Sequence, residues 1–178
     1  MKYFYDTEFI EDGKTIDLIS IGIVAEDGRE LYCENSDADL SKASDWVKEN
    51  VILHLWSKQI NKVDFNKWSL EVNHWGGLCS HKEIASEIRR FCSVEKHGKP
   101  EFWGYYSSYD HVALCQLFGT MMDLPNGWPM YTRDIKQLCD SLGNPKLPEQ
   151  GRDEHNALAD AVWNRQAYEF LDNYAKVA

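Results

Sequence analysis

The sequence predicts an α/β fold in which a mixed central sheet is flanked by helices. Three observations predict it. An apolar run at Lys2 to Asp6 is followed by a β-branched run at Asp17 to Ala25 and a third run at Arg29 to Glu34. The Asp27-Gly28 dipeptide between the last two is a hairpin turn signal, so the start reads as an antiparallel meander of three strands. Further along, helical and strand-like patterns alternate, which adds parallel strands to the meander and packs helices on the sheet.

The elements follow in order. Ser41 to Val51 has a helical pattern with Ser41 as its N-cap. His54 to Ser80 carries Trp56, Trp68, Trp75 and Gly76-Gly77 without a sustained period, and reads as loop with short helical turns. His81 to Val94 is an amphipathic helix, with Ile84, Ile88, Phe91 and Cys92 at helical spacing. Glu101 to Tyr106 is a strand, Tyr109 to Gly119 a helix, and Met130-Tyr131 a brief strand. Asp134 to Leu142 is a helix ended by Gly143, and a final helix runs from about Glu154 to Tyr174. No repeat or linker interrupts the chain, so one domain over residues 1–178 is expected, with 54–80 as a Trp-rich insertion.

Composition narrows the function classes. The 178 residues suffice for one domain with a real core. No apolar run is long enough to span a bilayer, so no membrane partner is expected. The start lacks the basic, apolar and small-residue pattern of a signal peptide, and the five widely spaced cysteines fit reduced thiols. Both point to the cytoplasm. A net charge of −10 argues against a protein that coats duplex nucleic acid through phosphate neutralisation. Carboxylates gathered around divalent cations are compatible with it, because the cations then present positive charge to a phosphate.

Three places can carry chemistry. Asp6 and Glu8 stand two apart at the end of the first strand, and on extended backbone such residues share a face. Two close carboxylates repel unless a cation sits between them or one is protonated. A solvated strand end is the plain alternative. Asp110 lies where a strand gives way to a helix, where an acid also suits the helix dipole with no further role. In the run from Asp153 to Ala161, His155 and Asp160 stand five apart, and Ala157, Ala159 and Ala161 keep side chains small enough for a backbone or a ligand to approach. Here the plain reading has Asp153 capping the helix, His155 exposed and Asp160 on a polar face. Arg133-Asp134 reads as surface charge.

Together, an early D-x-E, a mid-chain Asp at a strand-to-helix junction and a late H-x-x-x-x-D resemble the DEDD exonucleases of the ribonuclease H-like fold, in their His-bearing subclass. Position 156 is Asn, not the Tyr of the other subclass. The wording of Tyr3 to Ile10, Ile19 to Gly22 and Tyr109 to Leu114 is similar to the small bacterial and phage 3′–5′ exoribonucleases typified by the mycobacterial poly(A)-degrading enzyme.

That resemblance implies a 3′–5′ exoribonuclease that releases nucleoside 5′-monophosphates from single-stranded RNA 3′ ends, with a preference for adenosine. It implies Asp6, Glu8, Asp110 and Asp160 as ligands of two divalent cations, Mg²⁺ or Mn²⁺, and His155 as general base. Hard cations take oxygen ligands, and an ordinary imidazole suits proton uptake near neutral pH. On an ideal helix His155 and Asp160 point about 140° apart, so they converge only if His155 sits at a loosened helix start. Thr7, Phe9 and Tyr109 are expected near the terminal nucleotide, with plain packing the alternative for Phe9, which alternates with Glu8 on a regular strand, and for Tyr109. Relatives imply a homodimer, with the Trp-rich stretch as a contact surface. A DNA or dual-specificity exonuclease is the alternative enzyme, and a non-catalytic RNA-binding module the alternative class.

Overall fold

A computed structural model describes residues 1–59, 74–151 and 154–177. Its strands are β1 (Lys2–Glu11), β2 (Ile16–Ala25), β3 (Glu30–Asn35), β4 (His74–Cys79), β5 (Glu101–Gly104) and β6 (Arg133–Asp134). Its helices are α1 (Asp45–Asn50), α2 (Trp56–Gln59), α3 (His81–Phe91), α4 (Val94–His97), α5 (Ser108–Gln116), α6 (Ile135–Ser141) and α7 (Ala157–Val177). The strands form one sheet in the order β4-β3-β2-β1-β5-β6. β2 pairs antiparallel with β1 and β3, and the pairs β3–β4, β1–β5 and β5–β6 are parallel. This is the mixed antiparallel and parallel sheet, flanked by helices, expected from the sequence.

The alternation along β1 divides the core. Tyr3 and Tyr5 face one side with Ile84, Ile88, Ala113 and Leu114 of α3 and α5. Phe4 faces the other with Trp163, Ala167 and Leu171 of α7. The helix expected over 81–94 forms because Ser80 and Glu83 make a reciprocal capping box ahead of buried Ile84, Ile88 and Phe91.

Four local expectations are corrected. The first strand runs on to Glu11, so Asp6 and Glu8 lie within it and not at its end. The helix expected from Ser41 begins at Asp45 with Ser44 as its cap, because extended Ala43 separates it from a 3₁₀ turn at Leu40–Lys42. The strand expected at 130–131 is Arg133–Asp134, and Asp134 is not surface charge. Its carboxylate accepts from Lys136 N and Gln137 N to cap α6, and from Ser107 N at 2.9 Å.

The fourth correction is β4, which lies inside the stretch read as loop. Gly76-Gly77 looked like a break in the chain, but a Cβ on Gly76 would stand 1.8 Å from the Tyr32 carbonyl oxygen. Glycine is what lets this strand lie against β3. Residues 60–73 of the Trp-rich stretch, including Trp68, lie outside the described residues, and so does Asp153. Much of the dimer surface expected on that stretch therefore also lies outside them.

Candidate active site

The site forms where β1 outlasts its parallel neighbour. Pairing of β1 with β5 stops at Phe4 opposite Trp103, and β5 then turns into α5. Beyond that point β1 keeps β2 on one side only. Two side chains fill the vacated edge. Asn164 of α7 donates through Nδ2 to the Tyr5 carbonyl at 2.9 Å. Asp110, in the first turn of α5, accepts from Thr7 N at 2.9 Å and Thr7 Oγ1 at 2.6 Å. Buried backbone groups need such partners, so the edge that leaves Thr7 N–H without a strand is also what fixes Asp110.

Asp6 and Glu8 project from the α7 face of β1. Asp6 lies opposite Gly22 of β2, and a Cβ on Gly22 would stand 2.2 Å from the Ala157 carbonyl oxygen. Gly22 and buried Ala157 and Ala161 thus let the start of α7 rest on the sheet. Asp160, one turn in, is thereby brought over the strand. One carboxylate oxygen from each of Asp6, Glu8 and Asp160 lies within 4.8 Å of the others. Asp110 approaches the same place from the opposite face of the sheet and is 6% exposed.

The electrostatics follow from the crowding. Burial, then the charges of Asp110, Asp160 and Glu8, hold the Asp6 carboxyl well above the usual range. Burial, with Asp160 and Asp110, pushes Glu8 up to about 8. Burial raises Asp110 to about 6, against the opposing hydrogen bonds from Thr7. Asp160 is raised by burial, with Gln150 and the His155 N–H pulling the other way. Oxygen-rich, acid-only donors of this kind fit hard divalent cations such as Mg²⁺ or Mn²⁺.

His155 precedes α7. Asn156 Oδ1 accepts from Ala159 N, so the helix is capped after His155. The His155 backbone lies in the left-handed region, φ 68°. Its N–H donates to Asp160 Oδ2 at 2.9 Å, while Gln150 Nε2 donates to Asp160 Oδ1. The 140° separation of an ideal helix therefore does not apply. The imidazole packs edge-to-face on Trp46, with ring centroids 4.9 Å apart.

Of the residues expected at the nucleotide, Phe9 and Tyr109 meet each other edge-to-face at 5.8 Å, after an irregularity in the β1–β2 register between Glu8 and Phe9. Tyr109 is exposed. Thr7 is 4% exposed, and both its N–H and hydroxyl donate to Asp110. Gln150, Asn164 and Trp46 were missed. A buried Asn four residues after Asp160 on the same helix was a readable signal for Asn164. Gln150 and Trp46 act across loops and carry no local pattern.

The profile of the 3′–5′ exoribonuclease Rv2179c-like domain matches residues 1–171. The chain belongs to this family. Among similar proteins, the 3′–5′ exoribonucleases Rv2179c and MT2234.1, from two strains of Mycobacterium tuberculosis (H37Rv and CDC 1551), are each 41% identical over 161 residues, or 90% of this chain and 87% of theirs. A solved structure of the Neurospora crassa Pan2 catalytic unit, a protease and nuclease domain, covers 99% of this chain and 28% of its own at 15% identity, with a TM-score of 0.38. The span matched to the Rv2179c-like family contains Asp6, Glu8, Asp110, His155 and Asp160. Among the described residues no helix is long and apolar enough to cross a membrane.

Proposed function

We propose that this chain is a 3′–5′ exoribonuclease of the His-bearing DEDD type, acting from residues 1–178 as one nuclease domain. It shortens single-stranded RNA from the 3′ end and releases nucleoside 5′-monophosphates. The observation that carries the reading is the meeting of Asp6, Glu8 and Asp160 within 4.8 Å, with Asp110 held beside them. Family membership and the names of the Mycobacterium tuberculosis relatives support the RNA substrate and the 3′–5′ direction.

Asp6, Glu8, Asp110 and Asp160 are the residues that would hold two divalent cations, Mg²⁺ or Mn²⁺. When bound, such a pair supplies a nucleophile at neutral pH and charge stabilisation at the leaving oxygen. The protein's own groups do the rest. Thr7 and Asn164 fix the strand edge and Asp110. Gln150 and the His155 N–H orient Asp160. The His155 imidazole takes the proton of the attacking water. Phe9 and Tyr109 offer the aromatic surface on which a terminal base stacks. A preference for adenosine-rich tails, a homodimer and a cytoplasmic setting complete the reading.

The test is digestion of 5′-labelled RNA and DNA of one sequence, with Mg²⁺ or chelator. The expected result is a shortening RNA ladder with nucleoside 5′-monophosphate products, abolished by chelator and by Asp6→Asn. Equal digestion of DNA would move the reading to a general exonuclease, and RNA binding without cleavage would end it.

A further inference from the structure

The geometry of His155 is set only in part by the helix that carries Asp160. Its left-handed backbone, φ 68°, is a conformation that a residue with a Cβ keeps only when its surroundings hold it. Two contacts do this for the main chain: the N–H bond to Asp160 and the helix cap made by the next residue, Asn156. Neither limits rotation of the imidazole about its own side-chain bonds. Among the described residues, the ring that stands against it is Trp46. The centroids are 4.9 Å apart and the planes lie at 79°, the edge-to-face arrangement that aromatic quadrupoles favour.

Trp46 is delivered by α1, which is fixed independently of α7. Ala43, Val51 and Leu55, around this helix, are buried with Ile10 of β1 and Ile19 of β2. Ser44 caps the helix through Val47 N, and Asn50 Nδ2 donates to the Trp46 carbonyl. Trp46 is 54% exposed, so core packing does not account for a Trp here.

We propose that Trp46 is a positioning residue for His155, holding the imidazole over the acid cluster from a separate element of the fold. This rests on the reading of His155 as general base. A proton acceptor a fraction of an ångström out of place loses rate without losing substrate, so the contact belongs to turnover and not to RNA affinity. It also means that α1 and α7, which reach the site from opposite ends of the chain, must both be in place for His155 to act.

The test uses Trp46→Ala and Trp46→Phe in the full chain. Trp46→Ala should lower kcat by about tenfold with KM changed less than about twofold, and Trp46→Phe, which keeps an edge-to-face ring, should restore most of the loss. In a His155→Ala background, Trp46→Ala should cost nothing further. A raised KM at unchanged kcat would place Trp46 on the RNA and overturn the proposal, as would an additive loss in the His155→Ala background. A second readout needs no turnover. In ¹³C-edited NMR of labelled histidines, Trp46→Ala should move the His155 Cε1–H resonance, assigned through His155→Ala, while the other histidines stay put. An unmoved resonance overturns the contact. A wild type that leaves RNA intact fails the proposed function instead, and the NMR result then decides the Trp46 contact alone.

Discussion

Thr7 shows how one residue uses a gap in a sheet to hold a buried acid. Its N–H has lost a strand partner, and its hydroxyl faces the same carboxylate. Thr7→Val keeps the shape and removes one donor to a buried acid. Hydrogen bonds to charged groups contribute about 2 kcal/mol, so urea unfolding should show a loss of about that size, with reduced RNA turnover because Asp110 is freer. The acids themselves make the cation-free protein pH-sensitive. Glu8, raised to about 8 from its usual 4.5, and Asp110, raised to about 6 from 3.8, hold protons in the folded chain where the unfolded chain has released them. The stability these two groups contribute in chelator is therefore fully present below about pH 4 and is lost as pH rises towards 8. Thermal melts should show this decline, flattened in Glu8→Gln. Mg²⁺ should raise Tm more at pH 8 than at pH 6, since the cation competes with protons for the same oxygens.

At the scale of elements, the site depends on how closely α7 rests on β2. Gly22→Ala would drive a methyl group into the Ala157 carbonyl. Overpacking of this kind costs about 1–3 kcal/mol. Asp160 shifts with the helix, so activity should fall further than the melting temperature suggests, and a variant with wild-type kcat would show that α7 can move without disturbing the acids. The same scale explains what could be read in advance. The strands β1, β2 and β3 and the helix α3 follow from periodicity, a D-G turn and a capping box, all local signals. The acids were legible only as a set, because each alone has a plain alternative as a solvated strand end, a helix-start acid or part of a polar face. β4 was not, since Gly76-Gly77 imitates a turn when the neighbouring Tyr32 carbonyl is unseen. The position of His155 was legible only as a requirement that it leave the helix. The left-handed backbone that meets this requirement is held by Asp160 and Asn156 once the helix has formed, and the Trp46 contact depends on a tertiary neighbour about a hundred residues away in sequence.

For the whole molecule, the sheet gathers into one place acids that lie far apart in an extended chain and repel one another once assembled. A net charge of −10 is unfavourable for an RNA-binding surface, yet Asp6, Glu8 and Asp160 stand together, with Asp110 bonded to the intervening Thr7, where divalent cations would reverse the local sign. The direct measurement is the number of Mn²⁺ ions bound per chain in the presence of a nucleoside 5′-monophosphate, counted from the loss of the free-ion signal in electron paramagnetic resonance. The account predicts two ions in the wild type, fewer in Asp6→Asn, and RNA shortening that rises with their occupancy. Shortening of RNA by protein that binds no Mn²⁺, or full binding and turnover in Asp6→Asn, would contradict it.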